Sequence, residues 1–110
     1  MGGIMCQTVE NWLKTNDLSN AEIDFIETVL TFTSAVKVIS SRKDEINKSF
    51  QINFPNKKAI IEPDLTYKKL EETLKENGIN IDLSEMLTRF RKQGICSKLC
   101  KELLDSRVSG

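Results

Sequence analysis

Two short signatures mark where helices start in this chain, and they constrain its fold more than any other feature. Ser19-Asn20-Ala21-Glu22 is a capping box, in which the Ser19 hydroxyl takes the main-chain N–H of Glu22 and the Glu22 carboxylate reaches back to the N–H of Ser19. Asp82-Leu83-Ser84-Glu85 repeats the pattern. Behind each start, apolar residues recur at helical spacing. Ile23, Ile26, Val29, Leu30, Thr33 and Val36 follow the first, with Phe25 and Phe32 widening the stripe; Leu83, Met86, Leu87 and Phe90 follow the second. The stops are marked as well. Gly78 closes a helix carrying Tyr67, Leu70 and Leu74, with Ile79 as the hydrophobic contact beyond it, and Gly94 closes the helix after Phe90.

Shorter segments fill the rest. Val9, Trp12 and Leu13 form one apolar face of a helix over Thr8 to Lys14, which Asn16 and Asp17 end and Trp12 anchors in the core. The run from Thr31 to Ile39 is rich in β-branched residues and weakens the long helix, with a break near Ser40 and Ser41 before helix resumes over Arg42 to Lys48. Leu99, Leu103 and Leu104 line a last helix from about Ser97, and the tail from Ser106 is expected to fray. Phe50-Gln51-Ile52-Asn53-Phe54 alternates apolar and polar residues, and Lys58 to Glu62 is a second short apolar run. Pro55-Asn56-Lys57 supplies turn chemistry between them, and Pro63-Asp64 ends the second run. The sequence therefore predicts a mainly α fold: four to five helices in a small bundle with one embedded β-hairpin at about 50–62, all in one domain spanning 1–110. At 110 residues, deep cavities would compete with the core for apolar side chains, so a shallow surface site is expected.

The chain has no histidine. That removes the commonest general base and metal ligand, and with them Ser-His-Asp and Cys-His nucleophiles and Cys₂His₂ zinc sites. The three cysteines, Cys6, Cys96 and Cys100, cannot complete a four-ligand structural zinc site. Cys96 and Cys100 share a helical face and read as small buried hydrophobes. No Gly-rich phosphate loop is present, and Glu71, Glu72 and Glu76, like Asp24 and Glu27, read as surface charges with lysines nearby rather than as acid–base pairs. The expectation is a non-enzymatic protein with no cofactor, no metal and no evident small-molecule substrate. Met1 to Cys6 lacks the charged and apolar regions of a signal peptide, and Cys6 stands where a myristoylation signal carries Ser or Thr. No apolar run approaches the roughly 20 residues of a membrane span. Free thiols then point to the cytoplasm and no membrane partner.

Two surfaces compete for the function. The helix around 20–39 carries more apolar residues than one stripe needs, so Ile23, Phe25, Ile26, Val29, Leu30, Phe32 and Val36 are candidates for a homodimer seam or a groove for a protein partner. The counter-reading is that the hairpin and the C-terminal helices cover both sides. The second surface is basic. Sixteen Lys and Arg balance sixteen Asp and Glu, yet between Met86 and Lys101 there are Arg89, Arg91, Lys92, Lys98 and Lys101 with no acid. Tyr67 to Gln93 reads as two helices with a joint of about five residues, so segment 67–101 is the candidate for a helix-turn-helix-like DNA- or RNA-binding regulator, with Lys57 and Lys58 as a wing. Overall neutrality, the acids Glu71 and Glu72 and the long joint weigh against it. A regulatory, adaptor or inhibitory module that self-associates through protein contacts is the leading expectation.

Overall fold

A computed structural model describes residues 8–109. Cys6 and the opening segment lie outside the described residues. Six α-helices follow in order: α1 (Val9–Thr15), α2 (Asn20–Val38), α3 (Lys43–Asn53), α4 (Tyr67–Glu76), α5 (Leu83–Lys92) and α6 (Ser97–Ser109), with a 3-10 turn at Ser40–Arg42 between α2 and α3. The mainly helical bundle is as expected, with α2 breaking before Ser40, but six helices occur among the described residues where four to five were expected.

Helix starts follow local chemistry. The hydroxyls of Thr8, Ser19 and Thr66 and the Asp82 carboxylate each accept the N–H three residues on. The reciprocal bond closes at Ser19, whose N–H donates to Glu22 at 2.9 Å, whereas Glu85 turns to Arg89 instead. Three helices end in the same way. Asp17, Gly78 and Gly94 take left-handed φ values of 67°, 75° and 81°. The next residue's N–H then reaches back five positions, Leu18 to Leu13, Ile79 to Leu74 and Ile95 to Phe90.

The embedded β-hairpin is not formed: no strand occurs among the described residues. Its first half, 50–53, is the last turn of α3. The reason lies in which phenylalanines share a face. A strand would group Phe50, Ile52 and Phe54, while a helix groups Phe50 with Phe54 and turns Ile52 away. The helix wins because Phe25 on α2 offers both rings a partner, with centroids 5.8 Å and 5.7 Å away. Phe32 adds a further edge contact to Phe50. Phe50 is 1% exposed and Ile52 is 75% exposed. Since late α3 meets early α2, the two helices run antiparallel.

The second half of the expected hairpin forms no strand and has two asparagine side chains where a partner strand would be. Asn47 on α3 accepts the Ile61 N–H at 2.7 Å and donates to the Ile61 C=O at 3.0 Å. Asn77, at the end of α4, accepts the Lys58 N–H at 2.8 Å and donates to the Lys58 C=O at 2.8 Å. At the other end Glu62 pairs with Lys69 at 3.1 Å. Segment 58–62 therefore runs alongside α4 in the opposite direction, from Asn77 back to Lys69. Elsewhere α1 packs on α2 and α5, and α6 on α5 and α4, around one core that includes Phe25, Leu30, Phe50, Leu70, Met86, Phe90 and Leu103.

Candidate interaction surfaces

The apolar surplus of α2 is used mostly inside the fold. Ile23, Phe25, Ile26, Val29, Leu30 and Val36 are buried, and Phe32 is half-buried against the core. Of the candidate interface residues, only Phe32 retains appreciable exposure. What α2 presents to solvent lies one turn further on. Val38 is 82% exposed and Ile39 47%. They follow from the β-branched end of the helix, where the chain leaves for the 3-10 turn before another element can cover them.

Val38 borders a cleft of about 470 Å³ between the end of α2 and the start of α6, lined by Ser34, Lys37, Val38, Pro63, Lys98, Leu99 and Glu102. Lys37 and Glu102 bridge it at 3.4 Å. Lys98 has no ion-pair partner among the described residues. A second groove, also about 470 Å³, separates segment 57–62 from α4.

The basic segment is divided by the fold. Arg89 donates to Glu85 at 2.9 Å and lies 4.8 Å from the centre of the Trp12 ring, and Lys101 pairs with Asp105 at 3.1 Å. Arg91, Lys92 and Lys98 remain unpaired among the described residues, around the turn between α5 and α6. The tight joint of the structure is that turn, residues 93–96, rather than the α4–α5 connection, which runs over residues 77–82. The helix after it exposes Glu102 and Asp105 together with Lys98 and Lys101, so its outer face alternates in charge. Lys57, placed in a wing by the sequence, instead sits 5.7 Å over the Phe25 ring.

The thiols and carboxylates lie apart. Cys100 is buried, donates weakly to the Ile95 carbonyl at 3.8 Å, and has its pKa pushed up to about 12, by burial first and by neighbouring Cys96 second. Glu27, half-buried on α2, is raised above the ordinary carboxylate value by burial and then by the nearby charges of Glu10 and Asp24. No group of three His, Cys, Asp or Glu side chains among the described residues is arranged to hold a metal ion. No helix among them is long and apolar enough to cross a membrane.

Sequence reasoning missed the two asparagines. Their signal was available: a short apolar run without a second strand needs other partners for its main chain, and an amide side chain on a flanking helix carries both donors and an acceptor. No protein-family model matches the chain, and neither a curated protein nor a solved structure matches it.

Proposed function

We propose that this chain is a non-enzymatic, cytoplasmic protein-interaction module of regulatory or adaptor type, which self-associates through the cleft between α2 and α6. The observation that carries the reading is Val38, a large apolar side chain left 82% exposed on the rim of a cleft that it helps to line. Such a surface carries both a projection and a recess. In a two-fold contact residue i meets j and j meets i, so Val38 of each copy enters the other's cleft. Lys98, without an ion-pair partner among the described residues, lies one turn from Glu102 on α6, which holds Lys37, so in two antiparallel copies each lysine joins the other's Lys37–Glu102 pair.

The contact rests on one exposed apolar side chain beside a cleft, so the association is weak and concentration-dependent. Light scattering over a wide concentration range tests it. The mean mass should rise toward a dimer in the native chain and stay monomeric in Val38→Lys. A native mass constant at the monomer value to the highest concentration would overturn the reading.

A further inference from the structure

Asn77 is followed by Gly78, the one Asn-Gly pair in the chain. An asparagine can lose its side-chain amide to its own main chain, when the nitrogen of the next residue attacks Cγ and closes a five-membered succinimide. Glycine is the least hindered neighbour for this, because it has no Cβ to shield the nitrogen. Gly78 is exposed and Asn77 half-buried, so water reaches the pair.

The fold nevertheless holds the reacting atoms apart. With ψ of Asn77 at 16°, the Gly78 nitrogen nearly eclipses the nitrogen of Asn77 itself about the Cα–C bond, whereas ring closure needs it turned toward Cβ. The Gly78 N–H also donates to the Lys75 C=O at 3.0 Å. The side-chain amide is fixed at both ends: Oδ1 accepts the Lys58 N–H, and Nδ2 donates to the carbonyls of Lys58 and Thr73, each at 2.8 Å. Only the Thr73 bond belongs to α4. The other two come from segment 58–62, so the docking of that segment decides whether the side chain is free to turn.

We propose that Asn77-Gly78 is a self-deamidation site which the docked segment 58–62 keeps closed, and that deamidation in turn loosens the segment. The Gly78 nitrogen, having lost its proton to solvent base, bonds to Asn77 Cγ; the Cγ–Nδ2 bond breaks and the amide leaves as ammonia. Water then opens the ring at either carbonyl, giving aspartate or isoaspartate. One water is consumed and one ammonia released, with no oxidant or cofactor. The new carboxylate accepts but cannot donate. The Lys58 N–H bond survives, while both donated bonds become contacts between oxygens. A negative charge also appears at the C-terminal end of α4, where the helix dipole opposes it, directly after Glu76. Isoaspartate adds a main-chain carbon just before the left-handed Gly78, disturbing the turn that carries the Ile79 N–H back to Leu74. The change runs one way, so a chain whose segment has once opened long enough keeps a record of it.

The test follows deamidation of the full chain in mildly alkaline buffer by peptide-mapping mass spectrometry, which reads the mass gain and separates aspartate from isoaspartate. At Asn77 the folded chain should react at least tenfold more slowly than the chain in urea. Lys58→Pro, which removes the N–H bonded to Oδ1, and Asn47→Ala, which frees the segment at Ile61, should each speed the reaction severalfold while circular dichroism shows them folded. Arg89→Ala, which weakens the hold on α1 instead, should leave the rate as in the native chain. The deamidated chain, separated by its extra negative charge, should exchange the Lys58 amide hydrogen faster than the fresh one. Equal rates folded and unfolded, acceleration by Arg89→Ala as great as by Asn47→Ala, or unchanged exchange at Lys58 after deamidation would each overturn the proposal. Should Lys58→Pro misfold, Asn47→Ala decides, and no acceleration there counts against it equally.

Discussion

The Arg89 guanidinium lies over the Trp12 ring, 4.8 Å from its centre, while its Nε donates to Glu85 at 2.9 Å. One side chain thereby ties the short helix α1 to α5, beside the bond from the Val9 N–H to the Gln93 side chain at 2.8 Å. A helix of seven residues is too short to persist by itself, so α1 depends on such contacts.

Arg89→Ala should therefore lower stability by about 1 kcal/mol, from the lost cation–π contact and the lost ion pair together. Arg89→Lys should recover part of it, because an ammonium cannot both stack flat on the ring and keep the same donor to Glu85. Urea unfolding measures the loss, and Trp12 fluorescence reports whether α1 loosens first. Equal stability of all three proteins would remove Arg89 from this structural role.

Asn47 and Asn77 make the same paired bonds in different surroundings, which separates burial from geometry. Ile61 is 1% exposed, and removing its amide partner leaves a buried N–H and C=O unsatisfied. Asn47→Ala should cost about 2 kcal/mol. Lys58 is exposed, so water replaces the amide there and the equivalent pair lost in Asn77→Ala should cost less. Unfolding free energies of the two variants, with hydrogen exchange at the Ile61 amide, check the order; equal losses would contradict it.

These asparagines also show why part of the fold was hidden in the sequence. Helix starts and stops were legible because they are local: Ser19 and Glu22 or Gly78 and Ile79 interact within a few residues. The identity of 50–62 depends on distant groups. Phe50, Ile52 and Phe54 fit a strand by period, and only the Phe25 ring, far away in sequence, selects the helix. The candidate surfaces divide in the same way. The apolar excess of α2 was readable, but which residues stay outside depends on what covers them, and it is Val38 and Ile39 rather than Ile23 to Val36 that emerge. The basic run from Arg89 to Lys101 was readable too, whereas the Trp12 ring that occupies Arg89 was not.

Glu27 should show a stabilising replacement. Burial and the nearby Glu10 and Asp24 raise its value above 4.5, so the folded chain holds this proton more tightly than the unfolded one. Its contribution is fully present below about pH 4.5 and is lost as pH rises through the raised value. At pH 7 Glu27→Gln should gain about 0.5 kcal/mol, the size of a like-charge helix pair, and the gain should disappear in acid. Thermal melts of both proteins at pH 7 and pH 4 test this; a destabilised variant at pH 7 would refute it.

Cys100 gives the opposite end of the pH range. Its thiol, held near 12 against an ordinary 9.0, stays protonated in the folded chain while the unfolded chain begins to ionise near pH 9. Stability from this group is complete below about pH 9 and declines as pH rises toward 12, because unfolding then releases a proton. In Cys100→Ala the alkaline decline should be shallower, measured as the slope of unfolding free energy between pH 9 and 11. The same burial should protect the thiol at neutral pH. In a chain carrying Cys6→Ser and Cys96→Ser, a thiol-directed disulfide reagent should label Cys100 only as fast as the protein opens, and denaturant should accelerate labelling in step with unfolding. Rapid labelling of the native chain would show that the start of α6 opens independently of the core.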